Sequence, residues 1–251
     1  MSGVGKTTAA RSVARRYDLH LYSLDSRTYV HAEAMRAPAL RMTPDELWVD
    51  RTPEQMADDF EREARLRFPL VLADLEAVPD DGAPVIAEGS QLLPELVCEP
   101  AQFVIADTRL QRALIAARGS VTPSTTRDPE RARALRVLRD ELLAERVVSA
   151  ANVYGFPVVR VADVRETEPA VERAFAPALT EWIAGNDRGD VAARRRAEND
   201  RRIDQWRRYA AVEPRARDGV VALACECDAP GCTATVDVAL ADAGRRPLLA
   251  H

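Results

Sequence analysis

The chain contains a single lysine, Lys6, although 35 of its 251 residues are lysine or arginine. Because arginine stands at every other basic position, lysine has been kept where a compact ammonium group must reach an anion that a planar guanidinium fits poorly. The surrounding residues are Ser2, Gly3, Val4, Gly5, Lys6, Thr7 and Thr8. The alternative is one surface lysine that survived by chance. The segment predicts a loop that binds the phosphates of a nucleotide through its backbone amides and Lys6.

The phosphate-loop motif is incomplete at its amino-terminal side. The full pattern is glycine, four residues, glycine, lysine and then serine or threonine, so its first glycine would lie one position before Met1. The strand that feeds such a loop is missing from the sequence as well. That strand is central in a parallel sheet, so we expect hydrogen-bonding edges to be exposed without it. We expect the natural start to lie upstream, and the alternative is a truncated, inactive form.

Composition favours a cytoplasmic protein with one medium domain and a small appendage. Hydrophobic residues make up 47% of the chain, which is enough for a core, and charged residues make up 30%. The net charge of −5 argues against non-specific binding to nucleic acid. We see no apolar run of membrane-spanning length and no signal-peptide pattern, so no membrane partner is predicted. In the cytoplasm the four cysteines are expected to be thiols or metal ligands rather than disulfides.

Hydrophobic periodicity predicts strands that alternate with helices along residues 1–185, the pattern of an α/β domain with a parallel sheet. Strands are predicted over residues 19–24, 84–87, 102–106 and 156–161, the second of them short and buried. Helices are predicted over 7–17, 44–78 with breaks at Pro53 and Pro69, 107–118, 130–154 and 166–183. A polar loop over 119–128 separates two of these helices.

Two carboxylates follow predicted strands and are candidates for the chemistry. Asp25 ends the first strand, where it could accept a proton from a substrate hydroxyl; the alternative is a helix N-cap. Glu88 ends the second strand and could hold the water shell of Mg²⁺, with Thr7 as a direct ligand. The alternative for Glu88 is a cap on the turn that follows it. Both residues are expected beside the phosphate loop.

Arginines flank the polar loop and predict a lid that closes over the nucleotide. They are Arg118, Arg127, Arg131, Arg133 and Arg136. One or two of them would stabilise charge on a transferred phosphoryl group, while the rest are solvated helix residues. We assign this role to Arg127 and Arg131.

Taken together, these segments resemble the P-loop small-molecule kinases, a class that includes the shikimate, gluconate, chloramphenicol and 2-phosphoglycerate phosphotransferases. The resemblance covers residues 1–183 and rests on the segments 2–8, 22–25 and 85–94 and on the arginine-bearing lid. It implies the three-layer P-loop fold with a parallel sheet. It also implies that Lys6 and Thr7 hold ATP and Mg²⁺, and that Asp25 orients or deprotonates the hydroxyl of a small acceptor.

Two further units are predicted after residue 185. Residues 186–217 suit an arginine-rich helical linker whose mixed charges face solvent, and residues 218–251 suit a small module with strands near 220–223 and 233–238. The module carries Cys225, Cys227 and Cys232, which with His251 or Cys98 could complete a tetrahedral Zn²⁺ site. The alternative is a group of reduced thiols in a β-hairpin. The module also resembles a small cysteine-containing unit appended to assorted bacterial proteins, a resemblance that implies no activity.

Two functions besides a kinase are left open by the sequence. One is a non-kinase NTPase or an ATP-sensing regulator that binds a protein partner through the cysteine module. ATP hydrolysis without an acceptor would favour it. The other is a degenerate P-loop domain kept as a scaffold, for which no nucleotide binding is expected even after the upstream strand is restored.

Overall fold

The structure is a computed structural model, and it describes residues 3–37, 42–117, 126–185, 189–213, 216–244 and 247–250. Helix α1 (Lys6–Arg16) begins directly after Gly5, which has a φ of 87°. This left-handed conformation favours glycine, so Gly5 lets the chain turn sharply into the helix. Strand β1 (His20–Ser23) follows α1 as the sequence predicts. A short 3₁₀ helix, Leu24–Arg27, then carries Asp25 away from the strand end.

Four short strands form two parallel pairs. Strand β1 pairs with β2 (Val85–Glu88), and their register places Ser23 opposite Glu88. Strand β3 (Phe103–Ala106) pairs in the same way with β4 (Val158–Val161). The fold is therefore mixed α/β with small parallel sheets. Within the described part of the chain the two pairs are not bonded to each other, whereas the sequence predicts a single sheet.

Strand β2 is more exposed than the sequence predicts. Val85 is 38% exposed and Ala87 is also exposed, and within the strand only Glu88 is buried. Among the described strands β2 is bonded along one edge only, to β1. Its short apolar run therefore does not indicate burial on both faces.

The helices that flank the strands are α2 (Thr28–Ala34), α3 (Pro44–Trp48), α4 (Pro53–Glu76), α5 (Thr108–Ala117), α6 (Pro129–Tyr154) and α7 (Thr167–Gly185). Pro44 and Pro53 lie in the first turns of α3 and α4, behind threonine capping boxes. Pro69, in contrast, lies inside α4 and does not end it, contrary to the prediction. Packing on both sides of Pro69 explains this, because Arg67 and Val71 are both buried.

The main core lies between α1, α7 and the strands. Val13 of α1 is fully buried, and it belongs to one apolar cluster with Leu21 of β1, Val104 of β3, Val161 of β4 and Trp182 of α7. At about 25 cal/mol per Å² of apolar surface, burial of such side chains is the main term that stabilises the domain. The packing fixes the start of α1 relative to the strand ends.

Helix α8 (Val191–Val212) packs on this domain and on the carboxyl-terminal hairpin, β5 (Val220–Ala224) and β6 (Thr235–Ala239). It shares an apolar cluster with the hairpin through Ile203. Its residues Arg194 and Arg195 are only 5% and 4% exposed. The prediction of a solvated linker over 186–217 is therefore wrong for α8.

The two buried arginines of α8 form ion pairs with acidic residues that precede the helix in the chain. Arg194 pairs with Asp81 at 2.8 Å, and Arg195 donates to Asp18 at 3.0 Å. Arg195 also donates to the carbonyl oxygens of Cys227 and Ala229. Burying a charged side chain costs several kcal/mol of hydration, roughly, unless the charge is paired. These ion pairs and hydrogen bonds therefore join α8 to the residues around α1 and to the carboxyl-terminal hairpin.

Asn199 of α8 should be the most sensitive polar residue of the carboxyl-terminal part. Its fully buried amide accepts from the Ala224 N–H at 2.7 Å and donates to the Ala224 carbonyl and to Glu226, both at 2.9 Å. Asn199→Ala should lower the free energy of unfolding by about 3 kcal/mol, since buried groups lose their partners. Urea unfolding measures this. Asn152→Ala, at an exposed position of α6, is the control and should change it by less than about 0.5 kcal/mol. If Asn199→Ala and Asn152→Ala had the same free energy of unfolding, the hydrogen bonds of Asn199 would not stabilise the protein.

Candidate functional site

Residues 3–8, which the sequence predicts to bind phosphates, are held against α7. The carbonyl oxygen of the buried Val4 accepts a hydrogen bond from Thr167 Oγ1 at 2.5 Å. Gly3 and Gly5 both have positive φ, 97° and 87°, as a tight loop before a helix requires. No side chain caps the amino terminus of α1 among the described residues. The first turn of α1 therefore directs its backbone amides and the positive end of its dipole towards a position that suits an anion.

Thr7 and Glu88 meet at the centre of the site. Thr7 Oγ1 donates to Glu88 Oε2 at 3.0 Å, and Ser23 donates to the other carboxylate oxygen of Glu88. Glu88 is only 7% exposed. The contact joins the first turn of α1 to the carboxyl ends of β1 and β2. Glu88 therefore lies beside Thr7, in the segment that the sequence predicts to bind phosphates, and its role there stays a prediction.

Burial raises the pKa of Glu88, because a carboxylate loses hydration in the interior. The negative charge of Asp25 adds to the rise, while hydrogen bonds from Ser23 and Thr7 and the charge of Lys6 oppose it. Two nearby carboxylates and a threonine hydroxyl are oxygen donors of the kind that Mg²⁺ prefers. A divalent cation would relieve the repulsion between Glu88 and Asp25, so the residues fit a Mg²⁺ site.

Asp25 lies in the first turn of the 3₁₀ helix after β1. It is not the N-cap of α2, a position that Arg27 occupies, nor of the 3₁₀ helix, which Ser23 precedes. The capping alternative for Asp25 is therefore not what the structure shows. Its carboxylate instead borders a cavity together with Thr7 and Ser23.

A hydrogen-bond network from α4 holds the segment that carries Asp25. Asp74 accepts from Tyr22 at 2.8 Å, from Arg27 at 2.9 and 3.0 Å, and from His31 Nε2 at 2.9 Å. Arg67 donates to the Leu24 carbonyl and to His31 Nδ1, the latter at 2.8 Å. Asp74 and Arg67 thus anchor the chain on both sides of Asp25.

His31 is a neutral part of this network. Burial and the charge of Arg67 lower its pKa. Because Arg67 donates to Nδ1, the proton of the neutral ring lies on Nε2 and is donated to Asp74. No local spacing in the sequence indicates Asp74 or Arg67, since Arg67 lies 36 positions from His31 and Asp74 lies 47 positions from Arg27.

Helix α8 forms one wall of the cavity next to Asp25. The cavity has a volume of about 200 Å³, and α1 and β1 form its other walls. Four polar side chains of α8 contribute to it: Glu198, Arg201, Arg202 and Gln205. Their spacing of three, four and seven residues is that of one helix face. This periodicity was the signal available in the sequence, and the other arginines of α8 obscured it.

The arginines predicted for a lid lie elsewhere in this structure. Arg127 pairs with Asp50 and its backbone N–H donates to Asp45 at 2.8 Å, while Arg131 donates to the Val49 carbonyl at 3.3 Å. These contacts are with α3 and the residues after it, not with the phosphate loop. Their role at the nucleotide stays a prediction. Arg118, Ser2 and His251 lie outside the described residues, and Thr8 is exposed.

The three carboxyl-terminal cysteines form a cluster at the end of the hairpin. The Sγ atoms of Cys225, Cys227 and Cys232 all lie within 4.8 Å of one another. Cys225 is buried and the other two are half-buried, whereas Cys98 is exposed and is not a member of the cluster. Cys227 Sγ accepts from Arg195 and Cys225 Sγ accepts from the Ala250 N–H, each at 3.4 Å. The cysteines are close enough to hold a metal ion.

Comparison with known proteins found no match: no protein-family model, curated protein or solved structure corresponds to this chain. None of the helices in the described part of the chain combines the length and the apolar character that crossing a membrane requires. The chemistry of the site is therefore inferred from its own side chains.

Replacement of Glu88 by glutamine should stabilise the protein in the absence of nucleotide. A carboxyl group with a raised pKa binds its proton more tightly in the folded state, so the free energy of unfolding falls as pH rises from the ordinary value of 4.5 through the raised one. At pH 7 Glu88→Gln removes that cost. A gain of about 1 kcal/mol would raise the melting temperature by about 2–4 °C.

The measurement is thermal unfolding at pH 7 and at pH 4, with Glu76→Gln on exposed α4 surface as the control. The difference between Glu88→Gln and the unmodified chain should shrink at pH 4, where the carboxyl of Glu88 is protonated. A lower melting temperature for Glu88→Gln at pH 7 would show that the charge of Glu88 supports the fold.

Proposed function

We propose that the protein is a P-loop small-molecule kinase that transfers the γ-phosphoryl group of ATP to a hydroxyl group. The observation that carries this proposal is the contact between Thr7, in the first turn of α1, and the buried Glu88 at a strand end. A threonine hydroxyl and a buried carboxylate at the start of a helix form the arrangement expected around a nucleotide phosphate and its cation. Asp25 supplies a second carboxylate, which lines the same cavity as Thr7.

In this proposal some residues bind the phosphates and the cation, and one residue removes the proton of the acceptor. The amides of residues 5–8 and the ammonium group of Lys6 bind the β- and γ-phosphates. Thr7 and Glu88 hold Mg²⁺, which offsets negative charge on the phosphates when it is bound. Asp25 accepts the proton of the acceptor hydroxyl. The acceptor oxygen then bonds to the γ-phosphorus while the bond from that phosphorus to the bridging oxygen breaks and releases ADP.

We propose that Arg127 and Arg131 act as lid residues after their contacts with α3 have opened. Arg127 is more than half exposed, and its ion pair with Asp50 lies on the surface. Exposed ion pairs contribute about 0–1 kcal/mol, so exchange of Asp50 for a phosphate would cost little. A closed lid would exclude water, which otherwise competes with the acceptor.

We propose that the cysteine cluster binds Zn²⁺ through Cys225, Cys227 and Cys232. Zn–S bonds of about 2.3 Å require sulfurs about as close as these, and three thiolates leave one position for a fourth ligand. Ala250 donates to Cys225 Sγ, so the residue that follows it in sequence, His251, is the first candidate. Such an ion would stabilise a hairpin that has only a small core. In the cytoplasm the thiols would stay reduced and so be able to bind it.

The kinase proposal predicts different losses for Lys6 and Asp25. MgATP should raise the melting temperature of the unmodified chain, because a ligand at 100 times its Kd stabilises by about 2.7 kcal/mol. Lys6→Ala should abolish this shift, whereas Arg62→Ala, which removes an exposed cation on α4, should retain it. Asp25→Asn should bind MgATP normally and lose about 10²- to 10⁴-fold in turnover with an acceptor.

Each competing function has its own outcome in the same experiment. ADP release that does not depend on any added hydroxyl compound would support a non-kinase NTPase. No thermal shift with MgATP in the unmodified chain would support a scaffold. An equal shift in Lys6→Ala would contradict phosphate binding at this loop.

The metal proposal predicts about one zinc ion per chain in protein purified without chelator. Cys232→Ser should lose the metal and lower the melting temperature, while Cys98→Ser should keep both. Elemental analysis and thermal unfolding with and without a chelator measure these effects. Loss of metal in His251→Ala would assign the fourth ligand. If the purified chain held no metal and its melting temperature did not change on addition of Zn²⁺, the zinc site would be contradicted.

A further inference from the structure

The cavity beside Asp25 has a wall that comes from outside the kinase-like segment. Helix α8 lies beyond residue 183, where the resemblance to P-loop kinases ends, yet it lies against β1 because Arg201 donates to the Leu21 carbonyl at 2.9 Å. Thr7 and Asp25 line the cavity from the opposite side. At about 200 Å³ it is smaller than the roughly 300–1,000 Å³ of sites for drug-sized ligands, so it suits a small metabolite.

Cationic groups outnumber anionic ones where α1 and α8 meet beside the cavity. Glu198 accepts from Arg11 at 3.2 Å and from Arg15 at 3.4 Å, so one carboxylate serves two arginines. Arg202 is a third cation near this carboxylate. The Nε atoms of Arg15 and Arg202 are buried and have no hydrogen-bond partner among the described residues. A buried guanidinium without enough partners is costly unless a ligand supplies an anion.

Electrostatics around Arg202 agree with this geometry. Burial lowers the pKa of Arg202 to about 10, and the positive charges of Arg11 and Arg15 contribute to the shift. Arg202 stays protonated at neutral pH, so its positive charge is available to a ligand. The cavity is thus cationic at Arg202 and Arg11, and Asp25 and two serines, Ser23 and Ser26, also line it.

We propose that this cavity is the acceptor site of the kinase and that the acceptor is a small hydroxy compound with an anionic group, a carboxylate or a phosphate, bound by Arg202 and Arg11. The inference rests on the proposed function. The anionic group binds beside α8, which leaves a hydroxyl of the same molecule at Asp25 next to the phosphate loop. Guanidinium groups suit both carboxylates and phosphates, since both offer paired oxygens to parallel N–H donors.

The test compares neutral and anionic hydroxy compounds of matched size. Glycerol, glycerate and glycerol 3-phosphate form one set, and glucose, glucuronate and glucose 6-phosphate form another. ADP formation from MgATP and thermal shift are measured with each compound. An anionic member should be preferred over its neutral counterpart by about 10-fold or more, and the carboxylate and phosphate members show which anion is bound.

Arg202→Gln removes the charge and keeps a similar shape. It should fold at least as stably as the unmodified chain, because it removes a buried cation that shares the Glu198 carboxylate with Arg11 and Arg15 and whose Nε lacks a hydrogen-bond partner among the described residues. We expect it to lose about 10-fold or more in affinity for the anionic compound and to keep its Kd for MgATP. Arg207→Gln, on an exposed position of the same helix, should change neither.

The outcomes separate this inference from the proposed function. If MgATP binds in a Lys6-dependent way but neither set shows a preference for anionic members, the anionic acceptor is wrong and the kinase proposal stands. A weaker Kd for MgATP in Arg202→Gln would mean that Arg202 binds the nucleotide, which also overturns the inference. Failure of MgATP to bind the unmodified chain would overturn the proposed function itself.

Discussion

The buried carboxylate of Glu88 is the constraint on which the candidate site depends. It accepts from Thr7 at the start of α1 and from Ser23 at the end of β1, so one side chain aligns the phosphate loop with two strands. Burial raises its pKa, and Asp25 adds repulsion. In the absence of a cation this arrangement costs stability. The cost is understandable if the carboxylates serve to bind Mg²⁺ and to activate an acceptor, since sites of this kind trade stability for function.

Helix α8 is the second element that the account requires, and arginine chemistry explains its position. Arg194 and Arg195 bind Asp81 and Asp18 on one side, while Arg201 and Arg202 reach the cavity. Arg195 also donates to Cys227, so the hairpin with the cysteine cluster is joined to the end of α1 through Asp18. The carboxyl-terminal unit therefore contributes to the site's architecture rather than extending into solvent.

The sequence was sufficient for those parts of the site that depend on local pattern. Lys6, Thr7 and Glu88 follow from a short motif and a strand end, and in the structure Thr7 and Glu88 are in contact. It was insufficient where partners are distant. The arginines of α8 suit a solvated helix until Asp18 and Asp81 are seen beside them, and Pro69 suits a helix break until the packing of Arg67 and Val71 is known. Local propensity is weaker than tertiary packing at these positions.

Hydrogen–deuterium exchange with and without MgATP tests the central claim most directly, because it locates the nucleotide without an acceptor. The account predicts slower exchange in peptides that cover the first turn of α1 and the ends of β1 and β2, and no such protection in Lys6→Ala. The carboxyl-terminal hairpin, β5 and β6, should be unaffected by comparison. Unchanged exchange at residues 5–9, or protection confined to another surface, would contradict a phosphate site at the start of α1.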